Sequence, residues 1–347
     1  MLKENGYTVE VAARNNLDVK PGLSLDIADK VYDVPFERSP FSSSNIKAYK
    51  CIKKILDEND YDVIHCNTPM GAVVTRLAAA KKRKSGTRVI YTAHGFHFYK
   101  GSPLKNKLFY FPVEWALSFF TDKLICINTE DYELAKKRFH AKETFYVKGV
   151  GFDNSRFVRT HTKEEAREAL GIPKDSKVLF SIGELNKRKN HEVVIKALEK
   201  LADDNIYWYV SGNGPLEEYL LDEAKKHGLE GHFFLTGYTR ELTKYFEAAD
   251  LFVFPSLQEG LPVALMETMS FGLPVVASDI RGVRDLIKNG EGGFLLDRYD
   301  VDGFAEKIKF MLGNEDVCSK TVEHNREVIK DYEIPEVMKE MAKIYEL

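Results

Sequence analysis

At 347 residues, 44% apolar and 30% charged, the chain has the composition of a soluble globular protein and the length of two ordinary domains. No apolar run approaches the roughly 18 residues of a membrane span, Met1–Gly6 lacks the apolar core of a secretory leader, and Cys51, Cys66, Cys126 and Cys318 form no CxxC pair, so a cytosolic protein with reduced thiols is expected. The net charge of −3 divides into 24 Lys and Arg against 17 Asp and Glu through Gly151, then 26 against 36, so the first half suits an anionic partner, while the acidic whole and the lack of a recognition motif argue against nucleic acid.

Strand and helix patterns alternate, which predicts parallel sheets with crossover helices. Tyr7–Ala12 reads as a strand and Ile46–Glu58 as an amphipathic helix. Val63–Cys66 is a short buried strand, with a turn at Asn67–Met70 and a helix over Gly71–Lys82. Arg88–Thr92 is the next strand, and its loop Ala93–Tyr99 leads into an aromatic helical stretch, Leu104–Phe120. Lys123–Ile127 and Glu130–Phe139 read as strand and helix. Gly149–Asp153 reads as a hinge. Beyond it, strands are expected at Val178–Gly183, Trp208–Ser211, Phe233–Thr236 and Leu251–Phe254. Helices are expected at His191–Leu201, Glu217–His227, Leu242–Ala249 and Pro335–Leu347.

The most informative stretch is Phe254–Ser278. A buried strand ends, a loop carries Glu259 and Gly260, and Pro262 suits a first helical position because its missing N–H is an orphan there. The N–H groups of Val263, Ala264 and Leu265 then open a phosphate-binding helix end. Glu267 lies roughly 7.5 Å further along the axis at 1.5 Å per residue, within reach of a ribose whose diphosphate sits at that end. Gly272 suits a left-handed helix stop, and Pro274 prevents continuation.

Glu259-Gly-Leu-Pro-Val-Ala-Leu-Met-Glu267, with Gly272–Asp279 and Gly282–Ile287, resembles the E-x7-E element of retaining, nucleotide-sugar-dependent glycosyltransferases of family 4. The resemblance implies the α/β GT-B fold, two Rossmann-like domains with parallel sheets facing across a cleft. It places an acceptor-side domain at 1–151, a donor-binding domain at 152–330 and a closing helix at 331–347 that returns to the first domain. The pattern extends from Tyr7 to about Tyr332, and its specific motifs lie within 183–287.

The same resemblance implies roles for particular residues. Gly260, Leu261, Pro262, Val263 and Glu267 would contact the donor, and Glu259 would orient the transferred sugar. Lys189, in Ser181–Asn190, matches the lysine that steadies the departing diphosphate. Glu184 stands where the family often has arginine, so Arg188 is the candidate second cation. Gly212, in Gly212-Asn-Gly-Pro215, resembles the loop beside the nucleotide, and Arg240 belongs to the loop that meets the base. In Thr92–Phe98, His94 is expected to bind the sugar near its developing positive charge, with His97 as local competitor. His65 and Asn67 are candidates for the acceptor side. No cofactor and no metal are implied, and Asp60-Tyr-Asp62 and Asp300-Val-Asp302 read as chance DxD matches.

The expected reaction transfers a sugar from a UDP-linked donor to an acceptor hydroxyl with retained configuration. The Thr92–Phe98 loop is similar to those of enzymes of bacterial capsule and exopolysaccharide assembly, which implies a saccharide or lipid-linked saccharide acceptor. Rival readings are a nucleotide-sugar 2-epimerase of the same fold and an inactive partner subunit that keeps the donor fold. Lys81–Lys84 and the aromatic stretch Phe96–Trp115, with Lys100, Lys105 and Lys107, suit peripheral contact with an anionic membrane. Finally, Met1–Gly6 resembles the end of a first helix, so the family's first strand and loop are expected to be missing, a gap of about 15–30 residues by usual element lengths.

Overall fold

Short apolar runs bounded by loop residues build the sheets, and every pairing between the described strands is parallel. The computed structural model describes residues 1–14, 25–239 and 241–347. They form two units, Met1–Lys148 with Val337–Leu347, and Gly149–Glu336.

The first unit runs β1 (Glu10–Ala13), β2 (Lys30–Asp33), α1 (Ser44–Glu58), β3 (Val63–Asn67), α2 (Pro69–Lys84), β4 (Arg88–Ala93), α3 (Leu104–Ser118), β5 (Lys123–Cys126), α4 (Thr129–Arg138) and β6 (Glu143–Tyr146). Its strands form two sheets, β1-β2 and β3-β4-β5-β6. β1 and β3 both line a cavity of about 1010 Å³, with Ile52 and Leu56 of α1 against it. The turn expected at Asn67–Met70 is shorter: Pro69 and Met70 are already helical, and Thr68 takes the bend at φ +64°. The strands β2 and β6 were not foreseen. β2 has an almost wholly exposed pattern and exists through its pairing with β1.

α3 buries an acid beside Phe111 and Leu117 on one face and exposes apolar side chains on the other. Glu114 is buried, while Leu104 (70%), Leu108 (66%) and Phe109 (69%) are exposed. Arg76 of α2, itself 1% exposed, meets Glu114 at 2.7 Å and stacks 4.2 Å from the Tyr91 ring centroid. A buried charge requires such a partner.

The second unit runs α5 (Lys163–Ala169), β7 (Lys177–Ile182), α6 (His191–Leu201), β8 (Ile206–Ser211), α7 (Glu217–Lys226), β9 (Phe233–Leu235), α8 (Thr243–Ala248), β10 (Leu251–Phe254), α9 (Val263–Phe271), β11 (Val275–Ser278), α10 (Val283–Leu286), β12 (Phe294–Leu296), α11 (Val301–Leu312) and α12 (Glu315–Lys330). The six-stranded sheet has the order β12-β11-β10-β7-β8-β9. Alternation along each strand sends Phe180 and Phe252 into one buried cluster and Leu179 and Val253 into the other. The elements from α10 to α12 were not foreseen.

The last helix, α13 (Ile334–Tyr345), begins in the second unit and ends in the first. Val337, Ile344 and Tyr345 pack with Ile90, Ile125 and Val147, and Lys123 Nζ donates to the Ile344 carbonyl at 2.7 Å. His65 joins this contact: Nδ1 meets the Tyr345 hydroxyl and Nε2 lies 2.7 Å from Thr92 Oγ1.

Burial pushes the His65 imidazole down to about 4 from an ordinary 6.5. The folded ring stays neutral where the unfolded ring would be protonated. Unfolding is therefore favoured as pH falls from about 6.5 to about 4, with a ceiling of roughly 3 kcal/mol at 1.36 kcal/mol per pH unit. His65→Gln should lose less Tm than wild type between pH 7 and 4.5 in thermal melts; parallel profiles for the two proteins would remove this role.

Candidate active site

In the second unit the site is built at the C-terminal edge of the sheet. After β7 the chain makes a short 3₁₀ turn, Lys187–Lys189, whose N-cap Asn186 accepts from the Lys189 N–H at 3.2 Å. This turn aims two cations at the loop after β10. Lys189 Nζ is 2.9 Å and Arg188 Nη1 2.8 Å from the same oxygen of Glu259, Oε1. Lys189 is buried and lies 4.7 Å over the Phe254 ring. Desolvation lowers its pKa, and the Glu259 carboxylate opposes that shift. Arg188 also donates to the Gln258 carbonyl at 3.1 Å, so its guanidinium holds the loop as well as facing the carboxylate. Glu184 is exposed.

The helix end differs slightly from expectation. Pro262 is the N-cap of α9 rather than its first residue, and its carbonyl accepts from Leu265 N at 3.1 Å and Met266 N at 3.3 Å. The Leu265 N–H is thus engaged, and Val263 and Ala264 carry the N–H groups ahead of the first helical bond. Gly260, Leu261 and Glu267 are half-buried, and Val263 is 49% exposed. Gly272 closes α9 at φ +82°.

Gly212 follows β8 at φ +152°, and a Cβ there would lie 1.9 Å from the Gly183 carbonyl oxygen. Only glycine lets the two loops approach so closely. Its N–H donates to the Gly237 carbonyl at 3.0 Å, and Asn213 Oδ1 accepts from Tyr238 N at 2.7 Å. Arg240, expected on that same loop, lies outside the described residues.

In the first unit, His94 follows β4 and its Nε2 lies 3.1 Å from Asn67 Oδ1 at the end of β3. Both residues are exposed, and partial desolvation by the surrounding protein lowers the His94 pKa. His97 instead stacks on Tyr110, with centroids 4.6 Å apart, and its carbonyl accepts from Asn106 Nδ2 at 3.1 Å. His65 is hydrogen-bonded to Tyr345 and Thr92 and lines the same cavity as Asn67. Of the two DxD matches, Asp60 pairs with Lys82 at 2.6 Å, Asp300 caps α11 through Gly303 N at 2.9 Å, and Asp302 pairs with Lys200. Among the described residues, no group of three or more His, Cys, Asp or Glu could hold a metal ion.

Two residues at this edge were missed by sequence reasoning. Arg281, after β11, donates from Nε to the Glu259 carbonyl at 3.1 Å, and Arg298, after β12, donates from Nη1 to the Leu257 carbonyl at 2.9 Å. Their signal is position alone, each lying two or three residues past a strand of one sheet.

Comparisons with known proteins agree with this architecture. The family model for glycosyl transferases group 1 matches residues 162–328, and that for glycosyl transferase 4-like proteins matches residues 1–128. EpsD of Bacillus subtilis is 36% identical over 349 residues, covering 99% of this chain and 90% of its own. The UDP-Gal:alpha-D-GlcNAc-diphosphoundecaprenol alpha-1,3-galactosyltransferase of Escherichia coli is 29% identical over 272 residues, 76% of this chain and 70% of its own. Among solved structures, the sucrose-phosphate synthase of Thermosynechococcus elongatus superposes with a TM-score of 0.79 at 18% identity, covering 99% of this chain and 90% of that one. HepE of Anabaena, solved with UDP and glucose, superposes with a TM-score of 0.76 at 20% identity, covering 91% and 86%. The shared fold is GT-B, and the chain belongs to the group 1 family of glycosyl transferases: it is a glycosyltransferase.

Proposed function

We propose that this glycosyltransferase moves a sugar from a UDP-linked donor to a hydroxyl of a lipid-linked saccharide, with retained configuration, in bacterial surface polysaccharide synthesis. The observation that carries the reading is the meeting of Lys189, Arg188 and Glu259 beside the N-terminus of α9. Cations and oriented N–H groups at one point stabilise charge developing on a departing diphosphate. Two similar proteins support the finer assignments: the E. coli relative is named for UDP-Gal and a diphosphoundecaprenol-linked sugar, and HepE is solved with UDP.

In this reading the second unit binds the donor and the first contacts the acceptor. The bond from the anomeric carbon to the diphosphate oxygen breaks, and the bond to the acceptor oxygen forms on the same face. The acceptor's proton passes to the departing phosphate. Glu259 orients the sugar, Glu267 accepts from the ribose, and His94 binds the sugar from the first unit. Gly260, Leu261, Pro262 and Val263 line the donor path with backbone, and Gly212 brings its loop close to it. A thermal-shift panel of UDP-, GDP- and ADP-sugars tests the donor: stabilisation by UDP-sugars is expected, and preference for another base would overturn that part.

The α3 face adds a membrane contact. Leu104, Leu108 and Phe109 lie outward with Lys100, Lys105 and Lys107 exposed around them. Arg83, from the basic end of α2, donates to the Phe119 carbonyl at 2.9 Å, which brings the Lys81–Lys84 run to the C-terminal end of α3. Apolar side chains ringed by cations suit an anionic bilayer surface. Among the described residues no helix is long and apolar enough to cross a membrane.

Glu267→Gln should weaken UDP affinity by roughly tenfold or more, since hydrogen bonds to a charged group contribute about 1.5–3 kcal/mol; unchanged affinity by calorimetry would dismiss the ribose role. His94→Ala should lower turnover by on the order of 10²-fold with UDP affinity kept, the scale of losing one group preorganised toward charge that develops in the transition state. An equal loss of UDP binding would assign His94 to the scaffold. Phe109→Glu should reduce co-sedimentation with vesicles containing phosphatidylglycerol and leave the weak binding to phosphatidylcholine alone unchanged. Equal binding of mutant and wild type would dismiss the α3 surface.

A further inference from the structure

The loop from Pro255 to Leu261 carries Glu259, and its carbonyl groups are held one by one from neighbouring strands. The Leu257 carbonyl accepts from Arg298 at 2.9 Å, the Gln258 carbonyl from Arg188 at 3.1 Å, and the Glu259 carbonyl from Arg281 at 3.1 Å. These arginines follow β12, β7 and β11, three strands of the sheet that contains β10. Arg281 is the most enclosed of them, at 4% exposure. Its neighbour Gly282 sits at φ +76°, where a Cβ would lie 2.1 Å from the Gly260 carbonyl oxygen. Backbone therefore rests directly on backbone at 260–282, and only glycine permits it.

We propose that Arg281, with Gly282 as its steric partner, is a positioning residue that fixes the Glu259 peptide and so the direction of the Glu259 carboxylate. The proposal rests on the reading of Glu259 as the group that orients the donor sugar. A carboxylate reaches its target through its own backbone, and a shift of about 1 Å at a reacting centre costs on the order of 10²-fold in rate. Arginine suits the task because its planar, always-charged fork holds a carbonyl in one direction, whereas a lysine ammonium on a flexible stem does not.

The test uses the full chain as wild type, Arg281→Ala, Arg281→Lys, Glu259→Gln and Lys189→Ala. Amide hydrogen exchange reports the clamp without any ligand, because the Leu257 N–H is itself bonded to the Arg188 carbonyl at 2.8 Å. Arg281→Ala should speed exchange across 257–260 by roughly tenfold or more, the scale of one lost hydrogen bond. It should keep UDP affinity within about twofold while kcat falls by on the order of 10²-fold, and Arg281→Lys should recover part of kcat. Unchanged exchange across 257–260 would overturn the clamp. Loss of UDP affinity as large as that of Lys189→Ala would make Arg281 a phosphate ligand instead. If Glu259→Gln turns over normally, the reading of Glu259 fails, while the exchange result still judges the clamp. Should Arg281→Ala not fold, Arg281→Lys carries both readouts, with a smaller gain in exchange expected and no change overturning the proposal.

Discussion

Parallel strand pairing is the constraint on which the rest of the structure depends. When all strands run one way and return through helices, every C-terminal strand end reaches the same sheet edge. In the second unit β10 lies between β11 and β7. That adjacency, rather than any local sequence, brings Arg188 and Arg281 to one loop, and Arg298 reaches it from β12, one strand beyond β11. Burying cations is costly unless hydrogen bonds or opposite charge replace water. Lys189 has a carboxylate, Arg188 a carboxylate and a carbonyl, and Arg281 and Arg298 have carbonyls. One Glu259 carboxylate faces two cations, so the local charge at the start of α9 is positive, and the helix end adds to it.

The first unit obeys the same rule but divides its ladder. β1-β2 and β3-β4-β5-β6 are separate sheets, and the facing strands β1 and β3 border a cavity. β1 and β3 each pair on one side and leave the other ladder edge unpaired. Unit stability therefore leans on the helical side: α1 against α2, the Arg76–Glu114 pair, and α13 anchored through Ile344 and Tyr345. α3 is apolar on both faces: Phe111 and Leu117 pack inward beside Glu114, while Leu104, Leu108 and Phe109 face outward.

Elements whose apolar pattern is continuous were legible from sequence: His191–Leu201 and Leu251–Phe254 have the bounds expected of them. Glu259 does meet Arg188 and Lys189, 71 and 70 residues away in the chain. What was not legible shares a cause. β2 is four mostly exposed residues that exist through a partner strand, so no local pattern announces it. His97 competes with His94 in one dimension, and the Tyr110 on which it stacks comes from the following helix. Arg281 and Arg298 carry no local signal, because what they bond is decided by sheet order. Pro262 moved by one position without consequence, since a proline lacks the N–H at either place.

Glu259 shows how these constraints combine. Both Lys189 and Arg188 grip the same oxygen, Oε1, and among the described residues nothing donates to Oε2. Two donors on one oxygen fix its position but leave the carboxylate free to pivot about it. A grip on the Glu259 carbonyl adds a second fixed point on the backbone, where Arg281 donates. With both ends of the residue held, the pivot is restricted and Oε2 keeps one direction. An acceptor oxygen with a fixed direction and an open valence can distinguish one hydroxyl geometry of a sugar from its epimer, because a misdirected hydroxyl loses a charge-assisted hydrogen bond. In the proposed reading, selectivity for the donor sugar is then set by the backbone of this loop as much as by the carboxylate itself.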